Sequence, residues 1–253
     1  MTTPRKGARR VADIPPDLLD TLNRGETEAV TLVENLATDF ATLLGHVLPE
    51  LAGAAAERID PEAGVTRRMA QAADCILQTC GEDVIDKLAS HRADLARGWA
   101  AYMIAVLPDL TLAEKLARMR PLAADAHFGV REWAWLAVRP MIVAAPQAAL
   151  DILTPWAQDE DANIRRFATE ATRPRGVWCS HITQFKEAPE PARPLLDALY
   201  QDPSRYVQDS VANWLNDAGK TRADFVRACC VNWQAASDSP ATAYIIKRAT
   251  RSL

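Results

Sequence analysis

"NIRRFATEATRP", residues 163–174, has two counterparts in the same chain: "GVREWAWLAVRP" at residues 129–140 and "YVQDSVANWLND" at residues 206–217. Val130, Ile164 and Val207 take the same apolar position in the three copies, and further apolar residues recur three and four apart, the spacing of a helix with one buried face. A second pattern precedes each copy and ends at an aspartate. Leu116, Met119 and Leu122 lead to Asp125 in steps of three, Leu150, Leu153 and Trp156 lead to Asp159, and Leu196 and Leu199 lead to Asp202. The aspartates stand 34 and 43 residues apart, separations found in paired-helix repeats of the HEAT type. "LASHRADLARGWAAYM", residues 88–103, is a weaker fourth copy. One helix pair cannot bury its apolar face alone, so stacked pairs share a core. The expected fold is an all-α, HEAT-like solenoid of antiparallel helix pairs, with the helices at 129–139, 163–172 and 205–217 side by side on a concave surface.

The rest of the chain is helical in pattern too. Alanine and leucine abound, glycine is limited to 10 residues, and prolines fall mostly at helix boundaries, where a missing backbone donor does little harm. In "LLDTLNRGETEAVTLVENLATDFATLL", residues 18–44, Gly25 is read as ending one helix and Thr27 as starting the next. Residues 1–12 are expected to form a basic, flexible arm, and residues 13–253 a single solenoid domain whose clearest repeats span 112–253.

Composition excludes several classes. The 253 residues are 49% apolar, enough for a sizeable core. Runs such as "AAYMIAVL" fall well short of the roughly 20 residues that span a bilayer, and no signal segment opens the chain, so a cytoplasmic protein without a membrane partner is expected. Five cysteines (Cys75, Cys80, Cys179, Cys229, Cys230) with no CxxC pair, and four scattered histidines, suggest neither a disulfide framework nor a metal site.

The net charge of −4 is unevenly placed: residues 1–10, 163–186 and 219–253 each carry +4. Within the second group Arg166, Glu170 and Arg173 lie at i, i+4 and i+7 on one helical face, and Arg175 continues past Pro174. Such a run is either a solvated helix end or a binding surface. In the next copy Asn213 aligns with Glu170, and Asp217 lies one turn further along the same face. Neighbouring helices pack roughly 8 to 10 Å apart, so Glu170 and Asp217 can address one small volume. Either acid also has an ordinary reading: Glu170 can pair with Arg166 or Arg173, and Asp217 can be a helix-end residue near Gly219.

"NIRRFATEATRPRGVW", followed by "DPSRYVQDSVANWLNDAGK" and "YIIKRATRSL", resembles the C-terminal repeats of the AlkC branch of the AlkD/AlkC superfamily, bacterial DNA glycosylases that remove alkylated bases. The resemblance is strong over residues 125–253 and looser before. It implies a solenoid that cradles double-stranded DNA and excises cationic adducts such as 3-methyladenine, as a monomer without cofactor or metal. It places the active-site acids at Glu170 and Asp217, and a lesion-contacting aromatic at Trp178, whose ordinary alternative is core packing. Arg165, Arg166, Arg173, Arg175 and Lys186 are implied to hold phosphates. A cationic purine leaves as a neutral base and needs no general acid; what must be stabilised is the oxocarbenium sugar, which is work for carboxylates. Members of this branch carry a further acid just before an A-x-R-P segment. Here that position is Trp135, a second candidate for lesion contact, while Glu132 one turn earlier is the candidate third acid. The competing reading is a HEAT-like binding module without excision activity.

Overall fold

The computed structural model describes residues 5–253 and consists of α-helices and short 3₁₀ turns, with no strand among the described residues. The all-α, paired-helix repeat expected from the sequence is the fold observed. Among the described residues no helix is long and apolar enough to cross a membrane. The chain divides into two compact units. One takes the described part of Met1–Asp109 together with Ala126–Ala134, and the other takes Leu110–Asp125 with Trp135–Leu253.

In the second unit the helix Leu112–Ala123 opens with a capping box, Thr111 and Glu114 satisfying each other's backbone donors. It stops just before Asp125, and the helix Phe128–Ala144 follows. Pro146–Leu153, extended by the 3₁₀ turn Thr154–Gln158, stops before Asp159 and precedes Ala162–Ala171. Arg193–Asp197 leads through turns to Asp202, after which Arg205–Gly219 begins. Leu116, Met119, Leu122, Leu150, Leu153, Leu196 and Leu199 are buried, as are Val130, Ile164 and Val207. Two aspartates have a local task that explains their recurrence. Oδ1 of Asp159 accepts the Asp161 N–H at 2.9 Å and Oδ1 of Asp202 accepts the Ser204 N–H at 2.8 Å, closing the turn into the second helix.

A further repeat element was not read from the sequence. Arg97, Arg131 and Arg165 recur every 34 residues, each near the start of a second helix. Each guanidinium donates back to carbonyls of the preceding turn: Arg97 to His91 and Arg92, Arg131 to Ala126, Arg165 to Asp159 and Glu160. Gln208 does the same for Asp202 at 2.7 Å. The weak copy at 88–103 therefore carries the same staple as the strong ones.

Three expectations change. Pro140 does not end its helix, which runs on to Ala144 with Ile142 fully buried; packing of that last turn outweighs the missing amide. Gly25, at φ +70°, does terminate the first long helix, but the next is capped by Thr31 and not Thr27. Residues 26–30 instead serve as a packing segment, where Ala29 N–H reaches buried Asp94 at 3.0 Å and Ala29 C=O meets His127 Nε2 at 2.6 Å. Finally, the basic arm is docked from Arg5 onward. Glu34, fully buried, accepts Arg5 at 2.6 and 2.8 Å, the Ala8 N–H at 2.8 Å and the Val30 N–H at 2.7 Å. Residues 1–4 of the arm lie outside the described residues.

Candidate active site

The helices Ala162–Ala171 and Arg205–Gly219 pack directly on one another along a polar seam. Thr169 Oγ1 donates to Ser210 Oγ at 2.8 Å, Ser210 Oγ donates to Glu170 Oε2 at 2.6 Å, and Trp214 Nε1 donates to the Thr172 carbonyl at 3.0 Å. The seam fixes the rotation of each helix about its axis and brings Glu170 and Asp217 to the same place.

Arg173 is the link between them. Its Nη1 donates to Glu170 Oε1 at 2.6 Å, while Nε and Nη2 reach Asp217 Oδ2 at 3.0 and 2.8 Å. Arg166 Nη2 lies 3.5 Å from Glu170 Oε2, its guanidinium over the Tyr206 ring, and Lys220 Nζ lies 3.4 Å from Asp217 Oδ1. Both carboxylates are 4% exposed. Burial pushes the Glu170 carboxyl up, but the cations of Arg166 and Arg173 and the Ser210 hydrogen bond outweigh it and hold the group below its ordinary value. Burial likewise opposes the charge on Arg173, and the two carboxylates more than restore it. The cluster is therefore an ionised network that keeps two negative charges a guanidinium's width apart.

The loop leaving the Glu170 helix is held from below. Arg139, 1% exposed, donates to the carbonyls of Ala171, Arg173 and Ser180 at 2.8, 2.6 and 3.0 Å, so the helix end and both sides of the loop are tied to one buried cation. Burial lowers the affinity of Arg139 for its proton, with Cys179, Glu170 and Asp217 acting in the opposite sense. Gly176 is required by close approach: a Cβ there would overlap Cys179 Sγ and stand 3.6 Å from the Trp135 ring. Trp178, two residues on, is 48% exposed and has φ +61°, the one non-glycine residue in the left-handed region among the described residues. Such a conformation in a bulky residue is a strained one.

The other candidates fall as follows. Trp135, the second aromatic candidate, is 4% exposed, and its ring packs under Gly176, where it supports the loop. Glu132 belongs to the other unit, on the early part of the Phe128–Ala144 helix, and is half-buried. Arg165, expected at a phosphate, grips Asp202 through two bonds, at 2.6 and 3.0 Å, besides stapling its turn. Arg173 is likewise engaged inside the protein. Arg175 Nε donates to the Asp217 carbonyl at 3.2 Å and the residue is half-buried. Lys186 sits half-buried on the short helix Thr183–Glu187, its carbonyl bound by Thr221 Oγ1 at 2.6 Å. Sequence reasoning missed Ser210 and Lys220 beside the acids, and gave Arg139 only as part of an aligned segment.

Comparisons with known proteins agree with the resemblance to the AlkD/AlkC superfamily. Residues 130–232 match the family model described as DNA alkylation repair enzyme. Uncharacterized protein YhaZ of Bacillus subtilis (strain 168) is 30% identical over 197 residues, covering 76% of this chain and 54% of YhaZ. The alkylpurine DNA glycosylase AlkC of Pseudomonas fluorescens, solved bound to DNA containing an abasic site analog, aligns with a TM-score of 0.66 at 25% identity, over 92% of this chain and 64% of AlkC. AlkD2 from Streptococcus mutans shares the fold with a TM-score of 0.64 at 22% identity, over 83% of this chain and 99% of AlkD2. This chain thus spans about half the length of YhaZ and less than two thirds of AlkC.

Proposed function

We propose that this chain, similar in fold and in residues 130–232 to DNA alkylation repair enzymes, is a DNA glycosylase that excises cationic alkylated bases of the 3-methyladenine type from double-stranded DNA. The observation that carries the reading is the convergence of Glu170 and Asp217, from two helices, on Arg173, at the start of the loop that carries the exposed Trp178. A cationic adduct leaves as a neutral base while the sugar becomes an oxocarbenium ion. Carboxylates already ionised and already placed stabilise that charge without reorganising, and one of them orients the attacking water. Asp217 is assigned the larger part, because its Oδ1 is held only by the longer contact from Lys220, whereas both Glu170 oxygens accept short bonds. The ring of Trp178 offers its face to the cationic base, an attraction worth about 0.5 to 2 kcal/mol. Glu132 is the candidate third acid and Arg166, Arg175 and Lys186 the candidate phosphate contacts at this site; monomeric action without cofactor or metal completes the reading.

A second reading has its own observation: Arg173 neutralises charge that a glycosylase needs exposed, and Trp135 occupies the position of a further acid. That reading is a DNA- or protein-binding module without excision activity. Incubation of folded protein with methylated genomic DNA, followed by measurement of released bases, separates the two. Release of 3-methyladenine above the spontaneous rate supports the glycosylase, and DNA binding without release supports the module.

A further inference from the structure

The row of second helices does not end at Arg205–Gly219. Pro240–Ala249 packs against it in turn. Counted from the residues that precede these helices, Asp161, Ser204 and Ser239, the position of Glu170 is taken by Asn213 and then by Arg248, and that of Arg173 by Asn216 and then by Arg251. The first of these lines therefore changes sign within the second unit, from the Glu170 carboxylate through an amide to Arg248, while the second carries arginine at both ends.

The arginines there are held in a way that leaves charge to spare. Arg205 stacks on the Tyr244 ring, guanidinium carbon 3.4 Å from the centroid, and Arg248 approaches the same ring at 5.6 Å. Stacking uses the face of a guanidinium and leaves its in-plane N–H groups for oxygen acceptors. Arg205 gives none of them to a protein acceptor among the described residues. Tyr244 Oη donates to Asp209 Oδ1 at 2.6 Å, and Arg248 Nε lies 3.3 Å from the same oxygen. Arg251 Nη2 donates to Asn213 Oδ1 at 2.9 Å, a neutral partner that orients the group without cancelling its charge. Of the three guanidiniums, only that of Arg248 lies against a carboxylate among the described residues. Arg205 and Arg251 are exposed, and the Arg248 and Asp209 side chains are 43% and 40% exposed.

We propose that Arg205, Arg248 and Arg251 form a phosphodiester-binding site that grips the DNA backbone next to the carboxylate cluster, taking the task that Arg165 and Arg173 cannot perform. The proposal rests on the DNA-directed reading above. The two non-bridging oxygens of a phosphodiester, which share its charge, match the fork of an arginine, and three forks gathered along two adjacent helices suit consecutive phosphates of one strand.

The test is duplex binding followed by fluorescence anisotropy between about 50 and 200 mM salt, where each phosphate contact contributes about 0.9 to the log–log slope. The protein with both Arg248→Ala and Arg251→Ala should lose about 1.8 of slope and bind at least about tenfold more weakly, and Arg205→Ala alone should lose about 0.9. Arg248→Lys with Arg251→Lys should retain most of the slope, and unchanged melting should show that the alanine protein is folded. Unchanged slope and affinity in the alanine variants, with a parent that binds duplex, overturns this site and leaves the glycosylase reading standing. A folded parent that binds no duplex overturns both.

Discussion

Glu170 and Asp217, carried on neighbouring helices, share the guanidinium of Arg173, at 2.6 Å to the first and 2.8 Å to the second. Both acids are 4% exposed, so the arginine is what makes their joint burial tolerable. Arg173→Gln should destabilise the protein by about 3 kcal/mol, because two buried negative charges lose their common counter-ion. Adding Asp217→Asn should recover part of that loss. Urea unfolding of the single and double variants measures the coupling; strictly additive losses would mean that the pair is not linked through position 173.

Asp217→Asn keeps the shape of the acid and removes its charge. Excision under single-turnover conditions should fall by about 10²-fold or more, with duplex affinity little changed. Glu170→Gln should act in the same direction, though with a stability loss, since Glu170 also binds Ser210. Glu132→Gln decides the matter of a third acid: a comparable fall in rate assigns it a part, and an unchanged rate means that two carboxylates suffice.

Arg165→Ala separates a structural arginine from a phosphate contact. The side chain holds the buried Asp202 and two carbonyls of its own turn, so its removal should cost about 3 kcal/mol in stability. The salt slope of DNA binding should stay where it was. A shallower slope with normal stability would return Arg165 to the phosphate-binding role that the family resemblance implies.

How much was legible can be argued from these residues. Leu116, Met119, Leu122 and their equivalents declare themselves because burial of a helix face imposes a period on the sequence, and Asp125, Asp159 and Asp202 mark where that period breaks. Convergence of Glu170 and Asp217 followed from the same repeat. Which cation sits between the acids did not, because Arg166, Arg173 and Arg175 have equal claims in one dimension and only the seam through Thr169 and Ser210 selects Arg173. Trp135 is another case: an indole in place of an acid is equally consistent with a contact surface and with support beneath Gly176. The docked arm escaped notice because Glu34 stands among apolar residues, and its partner Arg5 is 29 residues away with no periodicity to join them.

Acid titration should expose that arm. Burial pushes the Glu34 carboxyl up, but Arg5 and the N–H groups of Val30 and Ala8 prevail and lower it from 4.5 to about 2. A depressed carboxylate stabilises the fold fully above its ordinary value. Its contribution is therefore lost progressively as the pH falls from about 4.5 to about 2. Glu34→Gln should lower the stability near neutrality and flatten its dependence on pH across this window, as followed by thermal melting.

Trp178 should be a site where stability and activity oppose one another. Asparagine adopts left-handed backbone more readily than tryptophan, so Trp178→Asn should raise stability by roughly 0.5 to 1 kcal/mol while lowering the excision rate. Gly176→Ala, by contrast, should lower both, since the added methyl displaces Cys179 and with it the turn that presents the ring.

The interval between successive copies lengthens from 34 to 43 residues at one place only, and the loop that carries Gly176, Trp178 and Cys179 lies inside the longer interval. The frame is already complete without the excess: the stapled turns at Arg165 and Gln208 close on either side of it, and Arg139 anchors its near end. The loop is therefore an insertion that the repeat does not need for its own closure, and its shape is set by what it rests on, Arg139 at both of its sides and the Trp135 ring beneath Gly176.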